Sequence, residues 1–332
     1  MINIISTQAN TRKISGIGKV FTNLVKGLDK IDYPYVINRA LNTTKRLWVH
    51  DNITALHYLH RSKAHKVLGP NLFVLPKEIP TGIRFDDCLY LHPCEWAAKL
   101  WKHAGFSACP IKAWPVGIDT DEFQPSGRSK TKRRIMVYHK GRDTQELSLI
   151  LEVLHSMRLP YWLVLYPLYE EKIYKALLGK TSFIIWHGTH ESQGIALQEA
   201  LSCDIPVLVL DAENLIPPIS APKLFPENLK DYRVTTAPYF DGACGIKINE
   251  LSQLMPAIES MIEDLNEFSP RDFVLKNLSL EGQARAFVNL WEYWGSTFEQ
   301  GLRETARSNR KWDIPLSGKI RKMRKRLIAK SL

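Results

Sequence analysis

Apolar positions along this chain alternate between two spacings. Short runs of aliphatic and aromatic residues are followed by stretches with apolar residues three and four apart. The first spacing is that of buried strands and the second that of amphipathic helices. The pattern predicts a strand over Ile2–Ser6 and a helix over Gly16–Lys30, with Ile17, Val20, Phe21, Leu24, Val25 and Leu28 on one face. Strand Leu47–His50, a short helix, strands near Val67, Phe73 and Cys88–Leu91, a helix around Pro93–His103 and a short strand Ile111–Trp114 come next. The alternation then restarts with Arg134–Tyr138 (strand), Thr144–Met157 (helix), Tyr161–Tyr166 (strand), Glu171–Leu178 (helix), Ser182–Trp186 (strand), Ser192–Ser202 (helix) and Pro206–Leu210 (strand). Alternation of this kind implies parallel sheets with helices on both faces, and ligands at the carboxyl ends of the strands.

Punctuation divides the chain. Pro125 to Lys132 is polar and almost free of apolar residues, so a boundary is expected within Gln124–Arg134. The expected parts are residues 1–125 and 126–280 as two Rossmann-like domains, 281–310 as a helix crossing back to the first, and 311–332 as a basic tail. The helix carries the stripe Phe287, Leu290, Trp291, Trp294 and Phe298, with Gly295 as a possible break.

Composition narrows the class. At 332 residues and 45% hydrophobic content, the chain is sized for two α/β cores. No apolar run approaches the roughly 20 residues that cross a bilayer. No signal-peptide pattern precedes the first strand. Five dispersed cysteines without a CxxC pair indicate free thiols in a reducing compartment, hence a cytoplasmic location. Cys88, His92 and Cys94 are close, but no second pair at zinc spacing follows, so no metal site is expected. The net charge of +11 is uneven: residues 311–332 hold eight basic residues against one acid, +7, which leaves +4 for the first 310. The nearly balanced body argues against a nucleic-acid-binding face. Within the tail, Ile320, Met323, Leu327 and Ile328 keep helical spacing among cations, which suits an anionic membrane surface as partner for residues 316–332. A solvated tail and an RNA-binding arm are the alternatives.

The chemistry concentrates in His190–Val207. A loop after a strand brings Glu191 to the sheet edge, Gly194 permits close approach to a ligand, and a helix then starts whose free N–H groups favour an anion. Glu199 follows eight residues on, about 12 Å along a helix. Two acids so spaced do not share a proton, but they suit two parts of one extended ligand. Spacing alone equally allows two solvated acids on a surface helix.

This segment resembles the E-x7-E signature of retaining GT-B glycosyltransferases of the group 1, family 4 type. Glu191, Gly194, Glu199, Ala200, Pro206 and Val207 fall in register with it, whereas Ser192 and Asp204 replace glycines. The Asp204 exchange is expected to change a turn. Trp114–Pro125 resembles the family's P-x-G-[IV]-D-x-x-x-F-x-P interdomain run, and Pro93-Cys94-Glu95-Trp96 an earlier helix start, so the likeness covers most of residues 86–211. It implies a GT-B fold of two Rossmann-like domains with parallel sheets facing a central cleft. It also implies a nucleotide-sugar donor (UDP- or GDP-sugar), a glycan or lipid-linked acceptor, retention of configuration, no cofactor and no metal. Glu191 would lie beside the transferred sugar as the catalytic residue and Glu199 would bind the ribose. Ser192, Gln193, Gly194 and Ile195 would line the donor loop.

Further candidates follow from position. Lys140 and Arg142 end the first strand of the second half, where cations could clamp a diphosphate. Gly16 and Gly18 open the first helix beside the cleft, or form a plain helix entrance. His50, Asp51 and His92 end first-half strands and are acceptor-side candidates, as His187 and His190 are beside Glu191; a lone histidine is commonly structural. Asp119-Thr120-Asp121 mimics a metal-binding D-x-D, yet it sits in the interdomain run, so Asp119 is expected to cap a turn. The rival readings are an inactive nucleotide-sugar binding module, and a binder of anionic surfaces or nucleic acid through its tail.

Overall fold

The structure is a computed structural model that describes residues 1–11, 15–126, 134–215, 225–226, 229 and 232–291. The first 286 residues form one compact unit holding two parallel sheets. The first sheet contains β1 (Ile2–Ile5), β2 (Tyr35–Ile37), β3 (Arg46–Val49), β4 (His65–Leu68), β5 (Cys88–His92) and β6 (Ile111–Ala113), in the order β2-β1-β3-β4-β5-β6. Its helices include α1 (Gly16–Lys30), α2 (Ile53–Leu56) and α3 (Glu95–His103). The second sheet contains β7 (Arg134–Lys140), β8 (Tyr161–Leu165), β9 (Thr181–Gly188), β10 (Val207–Leu210) and β11 (Gly245–Ile248), in the order β8-β7-β9-β10-β11. Between and after these strands come α4 (Thr144–Ser156), α5 (Glu171–Leu178), α6 (Ile195–Ser202), α7 (Leu254–Glu263) and α8 (Pro270–Asn277).

Both sheets repeat one winding, in which the chain reverses direction after the first two strands. The crevice between the first and third strands of each, β1/β3 and β7/β9, is therefore a topological switch point open to ligands at the carboxyl edge. Strands covered on both faces need apolar side chains on both, and every residue of β9 and β10 is buried. In α1, Val20, Phe21, Leu24 and Leu28 are buried as the pattern predicts, whereas Ile17 is 40% exposed because the first turn emerges at the cleft.

Some expectations fail locally. The strand near Phe73 is a loop, tied by the Glu78 carboxylate to the Val74 and Leu75 amides. Helix α6 begins at Ile195 rather than Ser192, because Gly194 is left-handed at φ 77°. Asp204 also holds a left-handed φ of 59°, so it keeps the turn that a glycine would make instead of changing it. Strands β2 and β11 were not foreseen. The first is a half-buried edge of three residues, and the second opens on Gly245.

Residues 114–123 pass between the halves. Asp119 accepts from the Asp121 and Glu122 amides and pairs with Lys26 at 2.7 Å, which is a capping role. Arg271 donates to the carbonyls of Thr120, Phe123 and Ser202 and pins the run to the second half. Helical residues 280–286 return to the first half. A Cβ on Gly27 of α1 would stand 2.7 Å from the Leu280 oxygen, and one on Gly117 2.6 Å from the Leu280 Cα. In the second unit, 287–332, residues 287–291 are described. Phe287, Leu290 and Trp291 are buried there, and the expected partners Trp294 and Phe298, Gly295 and the tail lie outside the described residues.

Candidate functional site

The carboxyl edges of the two sheets meet. Trp96, which follows β5, donates its indole N–H to the Glu191 carbonyl at 3.0 Å, and the Tyr239 hydroxyl reaches the Pro93 carbonyl at 2.7 Å. At the β7/β9 switch point, Lys140 Nζ lies 2.6 Å from Glu191 Oε1 and 4.8 Å from the centre of the Tyr166 ring. The Glu191 side chain is 12% exposed. Burial acts to lower the Lys140 pKa, but Glu191 beside it lifts it above the usual lysine value, so the pair is ionic. Gly194 follows in the left-handed region, where any side chain would be strained.

Glu199, in α6, is buried and faces a different cation. Lys19 of α1, from the first half, stands 2.5 Å from Glu199 Oε1 and 2.9 Å from Glu171 Oε1. Burial, the largest influence, raises the Glu199 pKa to about 7, although the Lys19 ammonium pulls the other way. The two acids of the E-x7-E segment are thus separately neutralised, one by a cation of its own half and one by a cation from across the cleft.

The other expected residues distribute unevenly. Ser192 lines the cleft. The Gln193 amide is buried, exchanges hydrogen bonds with the Val116 N–H and C=O at 3.1 and 2.8 Å, and ties the halves together. Ile195 packs against the second-half core. Arg142 does not join Lys140. Its guanidinium holds Glu146 at 2.9 Å and the Leu210 carbonyl at 2.8 Å, so a diphosphate clamp would break an existing set of bonds. Gly16 and Gly18 form a capped helix entrance, with Ser15 Oγ accepting from the Gly18 amide. His50 is bonded to Ser6 and Asn71, while Asp51 accepts from Ser6, Thr7 and Gln8; burial acts to raise the Asp51 pKa, but hydrogen bonds from His50, Thr7 and Gln8 outweigh it and hold it below the usual carboxylate range. Both order the strand ends of the first half.

His92 does reach the cleft. A cavity of about 390 Å³ is lined by Asn71, Phe73, His92 and Trp96 from one half and by Glu191 and Ser192 from the other. Burial lowers the His92 pKa to about 3, and its Nε2 has no hydrogen-bond partner among the described residues. His190 packs edge-on against Trp96 at 5.6 Å.

Two site residues escaped the sequence reading. Lys19 lay in plain view beside the two glycines, but its partners are 152 and 180 residues away. Glu171 was read only as a helix start. His187 is the centre of a buried chain, with Nε2 on Glu146 at 2.9 Å and Nδ1 on His139 Nδ1 at 3.0 Å. An ionised Glu146 only accepts, so His187 carries its proton on Nε2 and His139 donates from Nδ1. Burial lowers both pKa values, that of His187 to about 4, which keeps the pair neutral.

No protein-family model and no curated protein matches the chain. Solved structures do. The chain is similar to sucrose-phosphate synthase from Thermosynechococcus elongatus, at 11% identity over 89% of this chain and 99% of that one, with a TM-score of 0.53. It is similar to HepE of Anabaena in complex with UDP and glucose, at 11% identity over 88% and 99%, TM-score 0.54. It is also similar to the catalytic domain of starch synthase IV from Arabidopsis thaliana bound to ADP and acarbose, at 9% identity over 89% and 99%, TM-score 0.55. With two Rossmann-like parallel sheets opposed at their carboxyl edges, the chain has the GT-B fold.

Proposed function

We propose that this protein is a glycosyltransferase that moves a sugar from a UDP- or GDP-sugar to a hydroxyl of a glycan or lipid-linked glycan, with retention and without a metal. The observation that carries this reading is the placement of Glu191 and Glu199 at the cleft, each with its own lysine. Two of the similar structures hold a nucleoside diphosphate, UDP in one and ADP in the other, which supports a donor of that class. In this reading the ribose binds at Glu199 and the sugar lies beside Glu191. Lys140 turns from Glu191 to the diphosphate, where it and the free amides at the start of α6 stabilise the departing negative charge. Glu191 then faces the positive charge that builds at the anomeric carbon. Closure of the halves excludes water and limits donor hydrolysis.

Calorimetry in chelator with uridine, guanosine and adenosine diphosphates tests the reading. At least one binds; binding by none overturns it. Glu199→Ala weakens that binding about 10- to 150-fold, the worth of a hydrogen bond to a charged group. The proton linkage has a definite sign. Since the Glu199 pKa is raised to about 7, its carboxylate is lost as pH falls from 8 to 6, and affinity falls with it. Glu199→Gln flattens that profile.

We further propose that the protein works in the cytoplasm at an anionic membrane. None of the five cysteines is in a disulfide, and burial pushes the Cys88, Cys94 and Cys244 thiols up to about 12. Among the described residues no helix is long and apolar enough to cross a membrane. Residues 316–332 carry the attachment, each cation contributing about 1 kcal/mol near the surface. Truncation at 315 abolishes salt-sensitive sedimentation with phosphatidylserine vesicles and leaves donor hydrolysis intact. Equal sedimentation of the truncated protein removes the tail from this role.

A further inference from the structure

We propose that Glu171 is a second ribose-binding carboxylate, which shares the hydroxyl pair of a ribonucleotide with Glu199 and selects ribose over deoxyribose. The inference rests on the donor-site reading above and extends it to a residue outside the E-x7-E segment. Its basis is a shared ammonium and two stranded oxygens. Lys19 Nζ holds Oε1 of Glu199 at 2.5 Å and Oε1 of Glu171 at 2.9 Å, so those two oxygens are no farther apart than the sum of these distances. The second oxygen of each carboxylate, Oε2, is buried and has no hydrogen-bond partner among the described residues. Glu199 itself is 2% exposed.

A buried, unsatisfied carboxylate oxygen is costly and calls for a donor. An ionised carboxylate only accepts, so the matching ligand group must donate without bringing negative charge. A phosphate fails on both counts beside two acids. A pair of neighbouring hydroxyls satisfies both, one proton to each acid. The rest of the wall agrees in position. Glu171 is the first residue of α5, at the end of the turn that follows β8. The Tyr169 hydroxyl of that turn lies 3.0 Å from the Tyr138 hydroxyl of β7, and its Tyr166 ring lies under Lys140. One wall therefore runs from Lys140, placed for a diphosphate, through Tyr166 and Tyr169 to Glu171 and Glu199. Lys19 stands between the two acids and belongs to the first half, so parting of the halves withdraws it and opens the diol position.

Titration calorimetry compares wild type and Glu171→Gln with the ribo-, 2′-deoxy- and 3′-deoxy- forms of uridine, guanosine and adenosine diphosphates. Glu171 is partly exposed, and thermal melting checks that the variant folds as the parent does. In wild type, removal of either hydroxyl costs roughly tenfold or more in affinity, the scale of a charged hydrogen bond. In Glu171→Gln the ribonucleotide weakens by a similar factor, and the penalty for losing one of the two hydroxyls disappears. If the variant binds all three forms like wild type, or weakens all three equally, Glu171 does not read the ribose and the donor-site reading stands alone. If wild type binds no nucleotide, both fall.

Discussion

Glu191→Gln turns over donor about 10²–10³-fold more slowly than wild type, while its affinity for the nucleoside diphosphate changes little. The asymmetry follows from what each state of the reaction contains. In the proposed reading Glu191 lies on the sugar side, away from Glu199, and positive charge on the sugar exists only as the glycosidic bond breaks. An interaction made only then lowers kcat and kcat/KM together when removed. The amide is nearly isosteric and can still accept from Lys140, so folding is preserved. Glu199→Ala shows the opposite signature, a raised KM for donor, because ribose is gripped before and during the reaction. Steady-state kinetics and calorimetry on both variants separate the two roles. Identical behaviour of the pair, or full activity in Glu191→Gln, would falsify the assignment and leave two acids that merely close salt bridges.

Lys140→Met loses activity on the same scale, about 10²–10³-fold, and also loses stability. In the proposed reading the activity loss comes from the departing diphosphate, which no longer meets a positioned cation. The stability loss comes from Glu191, whose side chain is 12% exposed and is left without its partner at 2.6 Å. Leaving a mostly buried acceptor without its partner costs about 1–3 kcal/mol or more. The double variant Lys140→Met/Glu191→Gln isolates the second effect. It regains most of the lost stability, since no unpartnered carboxylate is left, and regains no activity. Thermal melting of the four proteins of the cycle measures the coupling. Additive melting shifts would mean that the Lys140–Glu191 pair is not coupled in solution. Arg142→Ala, by contrast, acts through stability, because its fork serves Glu146 and the Leu210 carbonyl.

The layered α/β architecture was legible in the amino-acid pattern, because buried strands and amphipathic helices have different periods and each must hide its apolar side. The expected spans of α1 and α5 match the structure, and most strands end within a residue or two of their expected limits. The strand end, loop and helix start around residues 187–195 were legible for the same local reason, since adjacent residues carry them, with a glycine at the left-handed position 194. Tertiary structure decided the partners. Lys19 meets Glu199 from 180 positions away, and nothing in its neighbours marks it apart from other helix lysines. Arg142 and Lys140 are two residues apart on one strand end, yet Gly141 at φ 68° lies between them, and their side chains serve different partners. Gln193 adjoins the left-handed glycine but is consumed by the backbone of Val116. Sequence spacing fixes which residues reach a sheet edge. Which of them stay available for a ligand depends on the hydrogen bonds offered by whatever the other half brings to that edge, and those are set only when the two sheets meet.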